Sequence, residues 1–523
     1  MNANAVASAL AVGLVGLEGH LVEVETHVGR GLVSFTLVGL PDTSVRESRE
    51  RVRAALQSCG LESLDQRTTV SLSPADLPKS GSGFDLAVAV SILVATAQVS
   101  PRLTESTVFV AELGLDGSLR SVPGVLPCLV AASRAGVRRA VVAASSAHEA
   151  GLVPGVEVLA LEHLADVVGH GGGEARRAVT LGPGTPPRTR GEADPGPRGA
   201  IHGSPALAEV RGQPLARRAA EVAAAGGHHL FLVGEAGSGK TMLANRLTSL
   251  LPDLDDQTAL TVTSLHSVAG LLSPGTGLVR RPPFQAPHHS ATMPSLIGGG
   301  VGMPRPGAVS LAHGGVLLLD EAAEFSPVVL DALRQPLEEG VVRIHRSRAT
   351  ARYPASFQLV MATNPCPCGR SGSRTGECTC SSLQRRRYVS RLSGPLLDRV
   401  DIRISMHSPS RADLALDSAE SSQAVARRVR EARERARQRW APQGWAANAQ
   451  VPGPWLREHS GLDPALVALL DRSVDRGVLS MRGADRVLRL AWTVADLADH
   501  DHPDDTDLAH ALALRKENHR GTG

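Results

Sequence analysis

Aromatic side chains are scarce in this chain, at 2% of 523 residues. That shortage argues against a nucleic-acid surface built on base stacking, which needs repeated aromatic platforms. A surplus of one charge is missing too. Lys and Arg number 55 against 52 Asp and Glu, a formal net charge of +3. No global basic field advertises a polyanion, so any phosphate contact must come from local patches. No apolar run reaches the roughly 20 residues of a membrane span. The stretch from Ala5 to Leu17 is apolar, but the first Lys or Arg is Arg30 and Glu18 interrupts the run. A strand or two suits it better than a secretory leader. Of six cysteines, Cys59 and Cys128 stand far apart and the other four cluster. Clustering of that kind points to metal rather than disulfides, and to a cytoplasmic protein. At about 150 residues per domain, the length suggests three or so domains.

What the chain does have is centred on Leu230–Thr241. An apolar run from Leu230 to Val233 reads as a buried strand, and Met242–Leu247 has helical periodicity. Between them Gly234, Glu235, Ala236, Gly237, Ser238, Gly239, Lys240 and Thr241 spell G-x-x-x-x-G-K-T, the phosphate-binding loop. Its glycines let backbone N–H groups point at phosphate oxygens, and the helix N-terminus adds a favourable dipole. Lys240 is expected to reach the β- and γ-phosphates of ATP, and Thr241 to offer its hydroxyl to Mg²⁺.

Some eighty residues later, Gly314–Glu321 reads as a second buried strand ending in two carboxylates. Asp320 is expected to hold Mg²⁺ and Glu321 to polarise the attacking water. A third strand, Phe357–Thr363, ends at Asn364, a polar group suited to orienting that water. Arg399 follows an apolar turn and lies among acidic residues. It fits either a finger reaching a neighbouring subunit's γ-phosphate or a local pair with Asp398 or Asp401.

Residues 1–168 alternate strand-like and helix-like stretches, with a capped helix over Val45–Ser58 and an apolar one over Phe84–Leu93. Within them, Pro78-Lys-Ser-Gly-Ser-Gly-Phe-Asp85 and Ala111–Gly124 resemble the proteolytic domain of Lon-type proteases, which has a ribosomal-S5-like fold. On that comparison the catalytic serine and lysine positions fall at Gly83 and Leu126, which cannot serve as nucleophile and base. Ser82 and Lys79 lie nearby without completing a dyad. The resemblance therefore implies a non-proteolytic α/β domain. Residues 169–204 are rich in Pro and Gly and read as a flexible linker.

Two basic or polar stretches interrupt the ATPase core of residues 205–405. Residues 265–313 carry Arg280, Arg281 and the pair His288–His289, which suit a pore or nucleotide-proximal role better than a metal site. Residues 341–353 alternate apolar and basic side chains and read as a hairpin. Arg343, His345, Arg346, Arg348 and Arg352 are its candidate phosphate contacts; a solvated basic edge strand is the alternative. Cys366, Cys368, Cys378 and Cys380 form two C-x-C pairs around a polar loop. Four thiolates suit a structural Zn²⁺, although C-x-C is tighter than the usual spacing. Residues 406–523 read as a helical lid. Seven arginines between Arg427 and Arg439 sit on one long helix that either faces DNA or is simply solvated.

Pro287-His-His-Ser290, Gly298–Gly300, Pro304-Arg-Pro-Gly307, Ser310–Val316, Asn364-Pro-Cys-Pro-Cys-Gly369 and Leu392-Ser-Gly-Pro395 resemble the magnesium-chelatase-like AAA+ ATPases of the ComM/YifB type. The resemblance spans all three domains. It implies a hexameric ring using ATP and Mg²⁺, with the two interruptions facing the pore. It also implies Arg399 as a finger acting in trans and Arg482 as a second sensor touching the γ-phosphate in cis, with Arg486 as alternate. Studied ComM members are DNA helicases that drive branch migration in natural transformation, so single- or double-stranded DNA and further copies of the chain are the expected partners. A chelatase-type subunit remodelling a protein partner is the competing expectation. Trp492 departs from the arginine common at its position in the family.

Overall fold

The computed structural model describes residues 4–39, 42–61, 66–177, 206–300, 303–346, 350–372, 378–416 and 420–515. The apolar strand Asn4–Val15 pairs with the alternating strand Glu18–Gly29 in a long hairpin. It forms the middle of a seven-stranded mixed sheet. Arg67–Ser73 and Ser34–Val38 extend the sheet on one side, and Thr107–Val110, Arg139–Ala143 and Glu157–Leu161 extend it on the other. The expected helix is present as Thr43–Ser58, and Asp42 caps it by accepting the Val45 N–H at 2.8 Å. Such a cap contributes about 1 kcal/mol. This helix and Asp85–Ala95 bury one face of the sheet, while Val125–Arg134 covers the other. Two short strands, Thr107–Val110 and Glu112–Leu113, follow Asp85–Ala95 in the chain.

The expected linker begins later than the composition suggests. Leu164–His170 is helical across residue 169. Beyond it the Arg176 N–H reaches the Cys59 carbonyl at 2.9 Å, and Arg177 pairs with Asp166 at 2.8 Å. Residues 169–177 thus pack on the N-terminal sheet domain, and the rest of the linker, from residue 178, lies outside the described residues.

The second sheet has five parallel strands in the order Phe284–Gln285, Val316–Leu319, Gln358–Thr363, Leu230–Gly234, Ile402–Met406. Its inner strands are buried nearly throughout because both faces are covered. One face packs against the first turns after Asp320 and against the hairpin Val341–His345/Thr350–Pro354. The other packs against Pro214–Gly226 and, beyond it, Ser422–Trp440 and Met481–Ala498 from the C-terminal region. The lid is therefore continuous with the core of the ATPase sheet. Phe284–Gln285 is an integral strand, so residues 265–313 are not wholly an interruption.

The two sheet domains also touch. Ser267 donates to Glu149 at 2.5 Å. The Gly16 turn of the N-terminal hairpin lies so close to the Arg352 backbone that a Cβ there would meet the Arg352 carbonyl at 2.7 Å. Among the described residues, no helix is long and apolar enough to cross a membrane.

Candidate active site

In an open parallel sheet, ligands bind at the carboxyl ends of the strands, where the strand order reverses. Leu230–Gly234 lies between Gln358–Thr363 and Ile402–Met406, and register pairs Val233 with Thr363 and Leu319 with Met361. Three polar termini therefore converge on one edge: the loop after Gly234, Asp320 and Asn364. Gly237 and Gly239 adopt φ of +82° and +91°, values that glycine takes without a steric penalty. They turn the loop into the helix Lys240–Leu247.

Lys240 is nearly buried, and desolvation holds its ammonium below the ordinary lysine range. Its Nζ donates to the carbonyls of Gly234 at 2.7 Å and Glu235 at 2.8 Å, and to Asn364 Oδ1 at 3.1 Å. Thr241 Oγ1 donates to Asp320 Oδ2 at 2.7 Å. The hydroxyl and carboxylate expected to share Mg²⁺ are thus already in contact, and Asp320 Oδ1 accepts the Glu321 N–H at 2.9 Å. These hard oxygen donors suit Mg²⁺ held together with substrate phosphates. Glu321 adopts φ +52°, which turns its side chain out of the strand. Its Oε2 lies 3.0 Å from His289 Nδ1. Of the histidine pair, His289 thus stands beside Glu321, while His288 bonds Ser290 at 2.8 Å.

Arg399 pairs with Glu338 rather than with Asp398 or Asp401, and its guanidinium is mostly buried. Asp401 belongs to a different group. It accepts from Arg486 Nη1 at 2.6 Å and from the His229 N–H at 3.1 Å, and lies 3.6 Å from His228 Nδ1. Although burial opposes its ionisation, the neighbouring His228 ring and the charge of Arg486 hold its carboxyl well below the usual range. Arg486 is thereby engaged in joining the C-terminal helix to the sheet. Arg482 is exposed in the first turn of that helix.

On the hairpin, Arg343 stands opposite Arg352 and His345 opposite Thr350. All four are exposed, while Val342, Ala351 and Tyr353 are buried on the other face. Arg343 also pairs with Glu339, and Arg346 donates to the Gly300 carbonyl at 3.1 Å, tying the hairpin to the other interruption. Arg348 lies outside the described residues.

Four of the seven arginines on the long helix have partners on other elements, while Arg427, Arg430 and Arg437 are exposed. Arg428 pairs with Glu221 at 2.7 Å, Arg435 with Asp499 and Arg439 with Asp496, both at 2.5 Å, while Arg433 donates to the Ala224 carbonyl at 2.7 Å. Trp492 is buried, edge-on to Trp440 at 5.4 Å and under the Arg439 guanidinium at 4.3 Å. In the N-terminal domain the Ser82 hydroxyl donates to Glu112 and the Lys79 ammonium to the Pro74 carbonyl, so the two candidate dyad members face different partners. One contact escapes sequence reasoning. Gln213 Nε2 donates to the Ser238 carbonyl at 3.3 Å and to the His407 carbonyl, bridging the phosphate loop to the last strand. Its only local signal is a place just before a Pro-initiated helix.

Family models agree with this arrangement. The model described as magnesium chelatase, subunit ChlI, matches residues 206–414. Models for subunit ChlI of Mg-chelatase and for the ChlI C-terminal region match 24–146 and 419–515. The chain is 47% identical to the uncharacterized protein Rv2897c of Mycobacterium tuberculosis, over 98% of this chain and 99% of that one. It is 38% identical to the uncharacterized protein YifB of Escherichia coli, over 96% and 95% of the two chains. It is 39% identical to the competence protein ComM of Haemophilus influenzae, over 96% of each. With a phosphate loop, a carboxylate pair and a polar strand end meeting on one parallel sheet, and with relatives matched almost end to end, the chain belongs to the magnesium-chelatase-like ComM/YifB family of AAA+ ATPases.

Proposed function

We propose that this protein is an ATP-driven motor on DNA. Copies assemble into a ring, six-membered by the family resemblance, with ATP and Mg²⁺ at the subunit interfaces. Lys240 and the loop Gly234–Thr241 bind the phosphates, Thr241 and Asp320 hold the magnesium, and Glu321 and Asn364 orient the attacking water. Arg399 reaches the γ-phosphate of a neighbouring copy once it leaves Glu338, and Arg482 serves as the cis sensor. Hydrolysis moves the basic hairpin along single- or double-stranded DNA, or drives branch migration. The N-terminal domain, Lon-like in sequence but without a dyad, acts as a non-proteolytic scaffold. A structural Zn²⁺ occupies the four cysteines.

The observation that carries the DNA assignment is the placing of Arg343 opposite Arg352 across an exposed hairpin face. Like charges directly opposite destabilise a two-stranded ribbon; Glu339 offsets only Arg343, and a phosphate backbone would relieve the rest. The competence-protein relative supports the same reading.

The test is a strand-displacement and branch-migration assay beside ATP hydrolysis with and without single-stranded DNA. Wild type should unwind, and DNA should stimulate its ATPase. Glu321→Gln should retain ATP binding while losing hydrolysis by about 10²–10⁴-fold, the usual worth of a positioned general base. ATPase activity indifferent to DNA, with no strand displacement, would instead favour a chelatase-type subunit acting on a protein partner.

A further inference from the structure

The chain leaves the ATPase sheet at Asn364 and returns at the helix Ser382–Val389. Between them, only Cys366 and Gly369 are buried among the described residues. Among the described residues, no hydrophobic core holds this excursion. Its four thiols do converge: Cys366 and Cys378 Sγ lie 3.8 Å apart, Cys368 and Cys378 3.7 Å, and Cys366 and Cys368 3.4 Å. All four sulfurs lie within 4.8 Å of one another. A disulfide needs about 2.05 Å, so these are not strained cystines. A tetrahedral zinc with Zn–S bonds of about 2.3 Å places its sulfurs about 3.8 Å apart. The Ser371 N–H points at Cys366 Sγ at 3.3 Å, the peptide-to-thiolate contact that orients a metal ligand. A polynuclear iron–sulfur cluster needs its thiolates farther apart.

The same turn reaches the nucleotide site. Gly369, at φ +74°, directly follows Cys368, and its N–H bonds the Cys366 carbonyl at 2.9 Å. A Cβ built on Gly369 would lie 3.5 Å from the Ala236 Cβ and 3.8 Å from both the Ala236 nitrogen and the Asn364 side chain. The backbone between two of the thiols therefore lies within a side chain's reach of the middle of the phosphate loop and of Asn364, which in turn accepts from Lys240 at 3.1 Å. On the far side, Cys380 precedes Ser381, whose capping box starts the helix that buries Tyr388. We infer that the tetrathiolate zinc is a latch on the nucleotide site: the metal closes the Cys366–Cys380 loop and so seats Gly369 against Ala236 and holds Asn364 in reach of Lys240. The latch rests on the phosphate-loop reading. The metal content does not, and neither depends on DNA.

The test uses the full-length chain. Elemental analysis of protein purified in zinc-replete medium should give one zinc per chain and negligible iron. A mercurial thiol reagent should release it, read with a chromogenic zinc indicator. A fluorescent ATP analogue should then bind at least tenfold more weakly. Reversing the mercurial with excess thiol and adding zinc should restore affinity. Circular dichroism before and after release checks that the rest of the fold persists. Cys378→Ser should reproduce the loss of zinc and of analogue affinity. Protein without zinc, or with iron in its place, overturns the metal assignment. One zinc per chain whose removal leaves analogue affinity unchanged overturns the latch, while the nucleotide-site reading stands on the binding itself.

Discussion

Glu321 combines a left-handed backbone with the carboxylate proposed to orient the attacking water. A non-glycine residue in that region costs roughly 1–2 kcal/mol, and here φ is +52°. The conformation carries the carboxylate out of the strand toward His289. Asparagine tolerates the left-handed region better than glutamate. Glu321→Asn should therefore raise the urea midpoint, corresponding to about 0.5–1 kcal/mol, while removing ATP turnover. A lowered midpoint would show that the His289 contact outweighs the backbone strain. Much at this scale is legible in the sequence. Asp320 and Asn364 each follow a local apolar strand, and Lys240 and Thr241 follow one through a glycine-rich turn, so the strand ends aim all four at one edge. Gln213 and Glu338 are not legible, because their roles depend on which distant residue the fold brings beside them. The partner of Arg399 is the clearest case: adjacent acids in sequence suggest Asp398 or Asp401, but Asp401 is taken by Arg486, and Glu338 comes from the helix before the hairpin.

Single elements carry two further expectations. The hairpin Val341–His345/Thr350–Pro354 reads correctly from its period-two pattern, and its pairing register adds the Arg343–Arg352 juxtaposition. Replacing both arginines by alanine should weaken single-stranded DNA binding and flatten its salt dependence, by about 0.7 in log–log slope for each phosphate no longer neutralised. Fluorescence anisotropy at several salt concentrations measures this, and an unchanged slope removes the hairpin from the DNA path. The helix Met481–Ala498 is legible as amphipathic, but the use of Arg486 is not. Its bond to buried Asp401 joins the lid to the sheet. Asp401→Asn leaves Arg486 without its charged partner in a buried setting and should cost about 3–5 kcal/mol of stability, read by denaturant unfolding. The arginine-rich helix Ser422–Trp440 shows why charge runs mislead: partners such as Glu221 and Asp496 lie on other helices.

For the molecule as a whole, acid should be destabilising well before the carboxylates titrate. Burial pushes both His229 and His313 down to about 4. Each ring accepts a backbone N–H at 3.0 Å, from Leu359 and from Ser356, a bond that needs an unprotonated nitrogen. The native state thus binds fewer protons than the unfolded chain between about pH 6.5 and 4. Their stabilisation is complete above about pH 6.5 and is lost as pH falls toward 4, each group contributing up to about 1.4 kcal/mol per pH unit. Unfolding midpoints at pH 7 and pH 5 should differ accordingly, and His313→Gln should shrink the difference; equal midpoints in wild type would refute the assignment.

The shared core beneath the ATPase sheet has a consequence during synthesis. The alanine-rich face of Pro214–Gly226 is covered by Ser422–Trp440 and Met481–Ala498. At bacterial-type elongation rates of about 5–20 residues per second, residues 227–421 take on the order of 10–40 s to emerge. Throughout that interval the nascent phosphate-loop half presents an uncovered apolar surface. A ribosome-stalled chain ending near residue 415 should bind holdase chaperones, and one ending past residue 515 should release them.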